Sequence, residues 1–176
     1  MTTKSVGAVA LVFLGLGAGI GYAAKPMPPG IAVIEGRPAR EAALAALAEA
    51  ETLAGKGSWE LIAIGRAYYL SGDRPRGQAI FDRVLAGKQS SSDWQRIAQV
   101  YADAGEKDKA TDCYEHMLAL DPKDDSGQAE VGAWFLRSGD RARGEELIAK
   151  AMQRRPKEPW HYIVAAEALL GVPPSR

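Results

Sequence analysis

Apolar side chains recur along this chain with the three-and-four spacing of a helix face, and no stretch alternates with period two. From Ala39 onward these stretches are interrupted at short intervals by Gly, Pro, Ser and Asp. The pattern predicts a series of helices. Residues 39–55 are almost all helix formers, with Gly55 as C-cap. Ser58 to Leu70 follows, stopped by Ser71-Gly72. Pro75 suits the first turn of a helix that runs to about Ala86. Ser92 or Asp93 caps the next, which ends near Ala104-Gly105. Lys107 to Leu120 closes at Asp121-Pro122, Ser126 to Ser138 comes next, and Arg141 to Arg154 closes at Pro156. Pro159 to Leu170 ends at Gly171, with residues 172–176 as a tail. The fold class predicted is all-α.

The helices repeat in pairs. Turn glycines fall at Gly72, Gly105 and Gly139, spaced by 33 and 34 residues, and each is followed by Asp or Glu. In each pair the first helix carries a small residue (Gly65, Ala98, Gly132) and then an aromatic one (Tyr68, Tyr101, Phe135). The second helix answers with a small residue (Gly77, Ala110, Gly144) and then a larger one (Phe81, Tyr114, Ile148). Small residues let two helices cross closely, and the large ones fill the space beside the crossing. A single hairpin buries too little apolar surface to stand alone, so a periodic set implies a stack.

The middle pair reads Trp94-x-x-Ile97-Ala98-x-x-Tyr101, Gly105, Ala110-x-x-x-Tyr114 and Pro122. This resembles the tetratricopeptide repeat. The resemblance extends from about Ser58 to Gly171 and loosens on both sides. Leu61 and Gln128 stand where the family prefers Trp, and Gln89 stands at the closing proline. It implies an α-solenoid of about three hairpins plus flanking helices, over residues 39–171. The helix at 39–55 reads as a preceding half-repeat and the helix at 159–170 as a terminal solvating cap. It also implies a non-catalytic scaffold or adaptor that holds a peptide or partner protein on the concave face lined by the first helices. The positions carried over are Trp59, Ile62, Arg66 and Tyr69, then Gln95, Gln99 and Asp103, then Ala129, Ala133 and Arg137, and finally Trp160 and Ile163. Trp59 and Trp160 are not motif packing residues, and exposed aromatics and Arg supply most binding hot spots. The opposing reading packs Trp59 on the 39–55 helix, lets Trp160 cover the end of the core, and packs Trp134 on a neighbouring helix. The Lys/Asn set with which some members clamp a C-terminal carboxylate is replaced here by Ile62, Arg66, Gln95 and Gln99.

The start of the chain differs from the rest. Lys4 precedes an uncharged run from Val6 to Ile20, and Gly21-Tyr22-Ala23 offers small residues before a cleavage site. Residues 1–24 thus have the layout of a secretory signal peptide. The alternative is an uncleaved anchor, because Ser5 to Ala24 gives 20 residues without charge, enough to span a bilayer. Gly15-x-x-x-Gly19 would then permit close helix approach. No cysteine follows the run to be acylated. Both readings put the remainder outside the cytoplasmic membrane, periplasmic or secreted, or inner-membrane anchored as a subunit of an envelope secretion, pilus or biogenesis complex. Residues 25–38 carry four prolines and read as a linker. Within them Ile31-Ala32-Val33-Ile34 is expected to pack on the first helix.

Charge and chemistry narrow the picture further. The 22 basic and 22 acidic residues balance, which leaves no cationic field for nucleic acid. One cysteine excludes an internal disulfide framework. Cys113-x-x-His116 supplies two ligand types one helical turn apart, where a metal needs three or four. It reads as an outward-facing helix pair. Asp121 to Gly127 is acidic but fails calcium-loop spacing. No cofactor, metal site or catalytic constellation is expected, and an enzyme is the reading from another class.

Overall fold

The computed structural model describes residues 30–174. The signal peptide or anchor, and the start of the linker, lie outside the described residues. So do the last two positions of the tail. The described residues form eight α-helices and a short 3₁₀ turn, Ile31–Val33, and contain no strand. The helices are α1 (Ala39–Ala54), α2 (Ser58–Leu70), α3 (Arg74–Leu85), α4 (Ser91–Asp103), α5 (Lys107–Leu120), α6 (Asp125–Ser138), α7 (Arg141–Arg154) and α8 (Pro159–Leu170). α2–α3, α4–α5 and α6–α7 are the three hairpins, with α1 and α8 at the ends. This is a helical repeat solenoid of the tetratricopeptide type.

Turn chemistry explains the boundaries. Gly72, Gly105 and Gly139 all have positive φ, a region closed to most side chains. The acidic residue that follows them is used in two ways. Asp73 and Asp140 cap α3 and α7, accepting the N–H of Arg76 at 3.3 Å and of Arg143 at 3.1 Å. Glu106 is a methylene longer and does not cap α5; its carboxylate accepts from the Tyr69 hydroxyl instead. At α4 the cap is Ser90, not Ser92 or Asp93. The Ser90 hydroxyl accepts the Asp93 N–H while the Asp93 carboxylate accepts the Ser90 N–H, a complete capping box with Asp93 at its third position.

The paired small residues sit at the crossings. A methyl built on Gly77 would stand 2.7 Å from the Gly65 carbonyl oxygen, and one on Gly144 would stand 2.7 Å from that of Gly132. In the middle hairpin Ala98 and Ala110 occupy the same places, wholly buried. Tyr68, Phe81 and Ile97 are the bulkiest fully buried side chains beside these crossings.

Three features depart from the sequence expectations. The 3₁₀ turn touches α1, yet Ile31 and Ile34 stay exposed, and α1 itself buries no residue fully. α8 is no solvating cap, since its outer side presents Tyr162, Ile163, Leu169 and Leu170 to solvent. Its inner side is anchored by the wholly buried His161, whose Nε2 lies 3.4 Å from an Asp125 carboxylate oxygen at the start of α6. Finally, the stack is uneven. α2 lies against α4 and α6 against α8, but the backbones of α4 and α6 stand apart.

Candidate functional site

The gap between α4 and α6 opens a groove of about 850 Å³ on the face lined by the first helix of each hairpin. Side chains bridge it. Gln95 on α4 donates to the Glu130 carboxylate on α6. Trp134 on α6 lies against Tyr114 on α5, with ring centroids 5.0 Å apart. The repeat register places Ala67, Val100, Trp134 and Ala168 at equivalent positions. The largest of them stands where the stack is widest. Ordinary helix pairs pack at 8–10 Å, a distance set by the side chains between them.

Of the positions carried over by resemblance, Trp59, Ile62, Arg66, Gln95, Gln99, Arg137 and Trp160 line this one groove. Asp103 and Ala133 line it too, while Ala129 is fully buried beneath it. Tyr69 is a correction. It is 2% exposed and belongs to the core, packed on Phe81 and Tyr101 with its hydroxyl bonded to Glu106 at 2.8 Å. Ile163 is a second: it is 44% exposed on the outer side of α8 and stands off the groove.

The sequence reading missed Ala63, Arg96, Glu130, Val164 and Glu167 among the lining residues, and a periodic signal was present for these five. Ala63, Arg96, Glu130 and Val164 recur at one repeat position, and Arg66, Gln99, Ala133 and Glu167 recur three residues further on. Positions three apart share a helix face. The two rows together form a continuous stripe over α2, α4, α6 and α8.

The walls are aromatic and the floor is charged. Trp59 is 63% exposed, with the Arg96 guanidinium 4.2 Å above its ring. This settles Trp59 away from the reading that packs it on α1. Trp160 is half-buried and donates from its indole N–H to Glu130 at 3.3 Å. Burial raises the Glu130 carboxyl above the usual range, partly offset by the bonds from Trp160 and Gln95. Of the cations, Arg66 pairs with Asp103 at 3.3 Å and Lys107 donates to the Ser138 carbonyl oxygen. Arg137 has no hydrogen bond or ion pair to any described residue. Burial lowers its guanidinium below the usual arginine range, against the opposing influence of Tyr114 and Glu167.

Cys113 and His116 do not form an outward-facing pair. Cys113 is buried, and its thiol is pushed up to about 12, chiefly by desolvation. His116 is exposed and stacks on Trp94 at 4.3 Å. Among the described residues no group of three or more His, Cys, Asp or Glu side chains is placed to hold a metal.

Residues 92–124, which span α4 and α5, match the family model of the tetratricopeptide repeat. Repeats of this kind generally mediate protein–protein interaction. None of the curated proteins matches the chain.

Proposed function

We propose that the chain is a non-catalytic, exported scaffold or adaptor that holds a segment of a partner protein in the groove between α4 and α6. The observation that carries this reading is Arg137. A half-buried guanidinium with no hydrogen bond or ion pair to any described residue, set between aromatic walls, is a ready anchor for a carboxylate, because charge-assisted bonds are the strong ones and the site already excludes part of the water. The segment that fits carries an acidic side chain close to an apolar one. The carboxylate meets Arg137, and the apolar group lies against Trp134 and Trp160. Trp59 extends the contact at the other end of the groove.

Peptides selected from a random display library on the full-length chain test this. Enrichment of Asp or Glu beside Leu, Phe or Trp is expected, with binding lost in Arg137→Ala and weakened in Trp59→Ala and Arg66→Ala. Selected peptides without acidic residues, or binding that survives all three changes, would sink the reading. The exported setting is supported by residues 1–24 alone. Intact mass of the mature protein tests it: loss of about 23 residues fits the small-residue cleavage layout. A full-length, membrane-bound chain favours the anchored envelope subunit instead, for which the 20 uncharged residues are long enough.

A further inference from the structure

We propose that the outer face of α8 pairs with the same face of a second copy of this chain, as an antiparallel helix pair centred on Ala166. The repeat register carries Gln128, Gly132 and Phe135 of α6 onto Tyr162, Ala166 and Leu169 of α8. In each of the three hairpins, these are the positions that meet the second helix. There they are covered: Leu61, Gly65 and Tyr68 are buried under α3, and Ala98 and Tyr101 are buried under α5, with Trp94 half-buried against His116. On α8 the same positions are open. Tyr162 is 50% exposed, Leu169 is 60% exposed, and Ala166 lies between them on the surface. Among the described residues α8 therefore carries the first-helix signature with no second helix packed on it.

The rest of that face agrees. Pro159, Tyr162, Ile163, Ala166, Leu169 and Leu170 fall on one side of the helix at the three-and-four spacing, and none is charged. The only ionisable side chains on α8 besides Tyr162 are His161 and Glu167. The first is buried against Asp125, and the second faces the groove. The Tyr162 hydroxyl donates back to the Pro156 carbonyl oxygen at 3.0 Å, which leaves the ring as the outward surface. An apolar stripe of this kind marks an interaction site.

The three internal hairpins show what covers such a stripe. An antiparallel helix crosses it small residue on small residue: Gly65 on Gly77, Ala98 on Ala110, Gly132 on Gly144. A bulky residue lies a turn away on each side. α8 is its own complement in these terms. Ala166 lies in the outward stripe with Tyr162 one turn before it and Leu169 and Leu170 one turn after. A two-fold axis through Ala166 sets Ala166 against Ala166 of the copy and Tyr162 against Leu169 and Leu170 of the copy. With no charge on the stripe, like-charge repulsion does not oppose the pairing, and a two-fold pair is the commonest form of self-association. The groove lies on the other side of α8, so the pairing is independent of the groove's ligand.

Position-specific disulfide formation in the full-length chain tests this. Ala166→Cys is oxidised under mild conditions and compared with Lys157→Cys, which lies beyond the helix start on an exposed turn. Two β-carbons must approach within about 4 Å to be bridged, so only the first variant is expected to give a covalent dimer. The native Cys113 is buried and contributes no background link. Adding Leu169→Glu to Ala166→Cys is expected to cut dimer formation at least tenfold. Leu170→Arg, at a residue 78% exposed, gives the same result where Leu169→Glu disturbs α8 itself. Equal linking of Ala166→Cys and Lys157→Cys overturns the proposal. So does a dimer that persists with both charges in place, which would point to association through residues 1–24, and so does a chain with Ala166→Cys that stays monomeric.

Discussion

At Gly77 an added methyl would press on backbone rather than on a flexible side chain. It would meet the Gly65 carbonyl oxygen at 2.7 Å and the Tyr69 nitrogen at 2.8 Å. Gly144 is confined in the same way by Gly132. Relief requires the two helices to separate, and forced repacking of a close-packed contact costs typically about 1–3 kcal/mol. Gly77→Ala and Gly144→Ala are therefore expected to lower the unfolding free energy by that amount, seen as a lower urea midpoint with an unchanged slope. The middle hairpin already accommodates methyl groups at Ala98 and Ala110, so the penalty belongs to the two outer crossings rather than to the position as such. A midpoint unchanged in both variants would show that the crossings are looser than the contacts imply. Cys113 is the second case at this scale. Its thiol is buried and raised to about 12, and the thiolate is the reactive form. Alkylation at pH 8 is expected to be negligible in the native protein and to become fast on denaturation in urea. Rapid native labelling would place Cys113 at the surface.

Between elements, Glu106 is one of the ties that join the first two hairpins, beside the Arg66–Asp103 pair. It lies at the α4–α5 turn, accepts from the Tyr69 hydroxyl on α2, and pairs with Arg74 on α3 at 3.1 Å and Lys109 on α5 at 2.8 Å. The hydrogen bond from Lys109, with help from Tyr69 and Arg74, holds its carboxyl below the usual range. A depressed folded value means stability that is fully present above the unfolded glutamate value of about 4.3. It is lost as pH falls through the lower folded value. The native chain is expected to lose stability on acidification below about pH 4.3, and Glu106→Gln to flatten that part of the profile. An identical acid limb in the variant would show that the tie is not proton-linked. The aspartates at the other turns, Asp73 and Asp140, cap helices instead, and this difference was not readable from a pattern of Gly followed by an acid. Helix bounds, turn glycines and crossing pairs were legible because each depends on local conformation or repeat period. The fates of Tyr69 and Ile163 were not. Tyr69 has a groove-like position in the repeat, but its ring is drawn into the core by Phe81 and Tyr101. Ile163 lies on the outer side of α8, where no described element packs on it. The widened step between α4 and α6, which makes the groove, depends on one bulky residue in the register, Trp134. Its consequence appears only when three helices are assembled around it.

Over the whole molecule, stability follows the one-dimensional arrangement. In a stack each unit is held by its neighbours, so the ends are weakest and the middle strongest. The two ends differ here. α1 rests on α2 and the 3₁₀ turn and buries no residue fully. Its ties to the next hairpin are the partly buried Leu47, Ala50 and Ala54, packed on the core, and the surface pairs of Glu51 with Arg76 and Arg83; exposed pairs contribute about 0–1 kcal/mol each. α8 is anchored on α6 by His161, Val164 and Ala168, all buried. α4 and α5 lie at the centre, with Ile97, Ala98 and Ala110 wholly buried. Native-state hydrogen exchange is therefore expected to release α1 first, α8 next, and α4–α5 only with global unfolding. If α8 pairs with a second copy, its protection should rise with protein concentration while that of α1 stays fixed. This separates an end that is weak for lack of packing from one that is weak for lack of a partner. Exchange of α1 in step with α4–α5 would contradict the stack as described, because nothing fully buried links α1 to the centre.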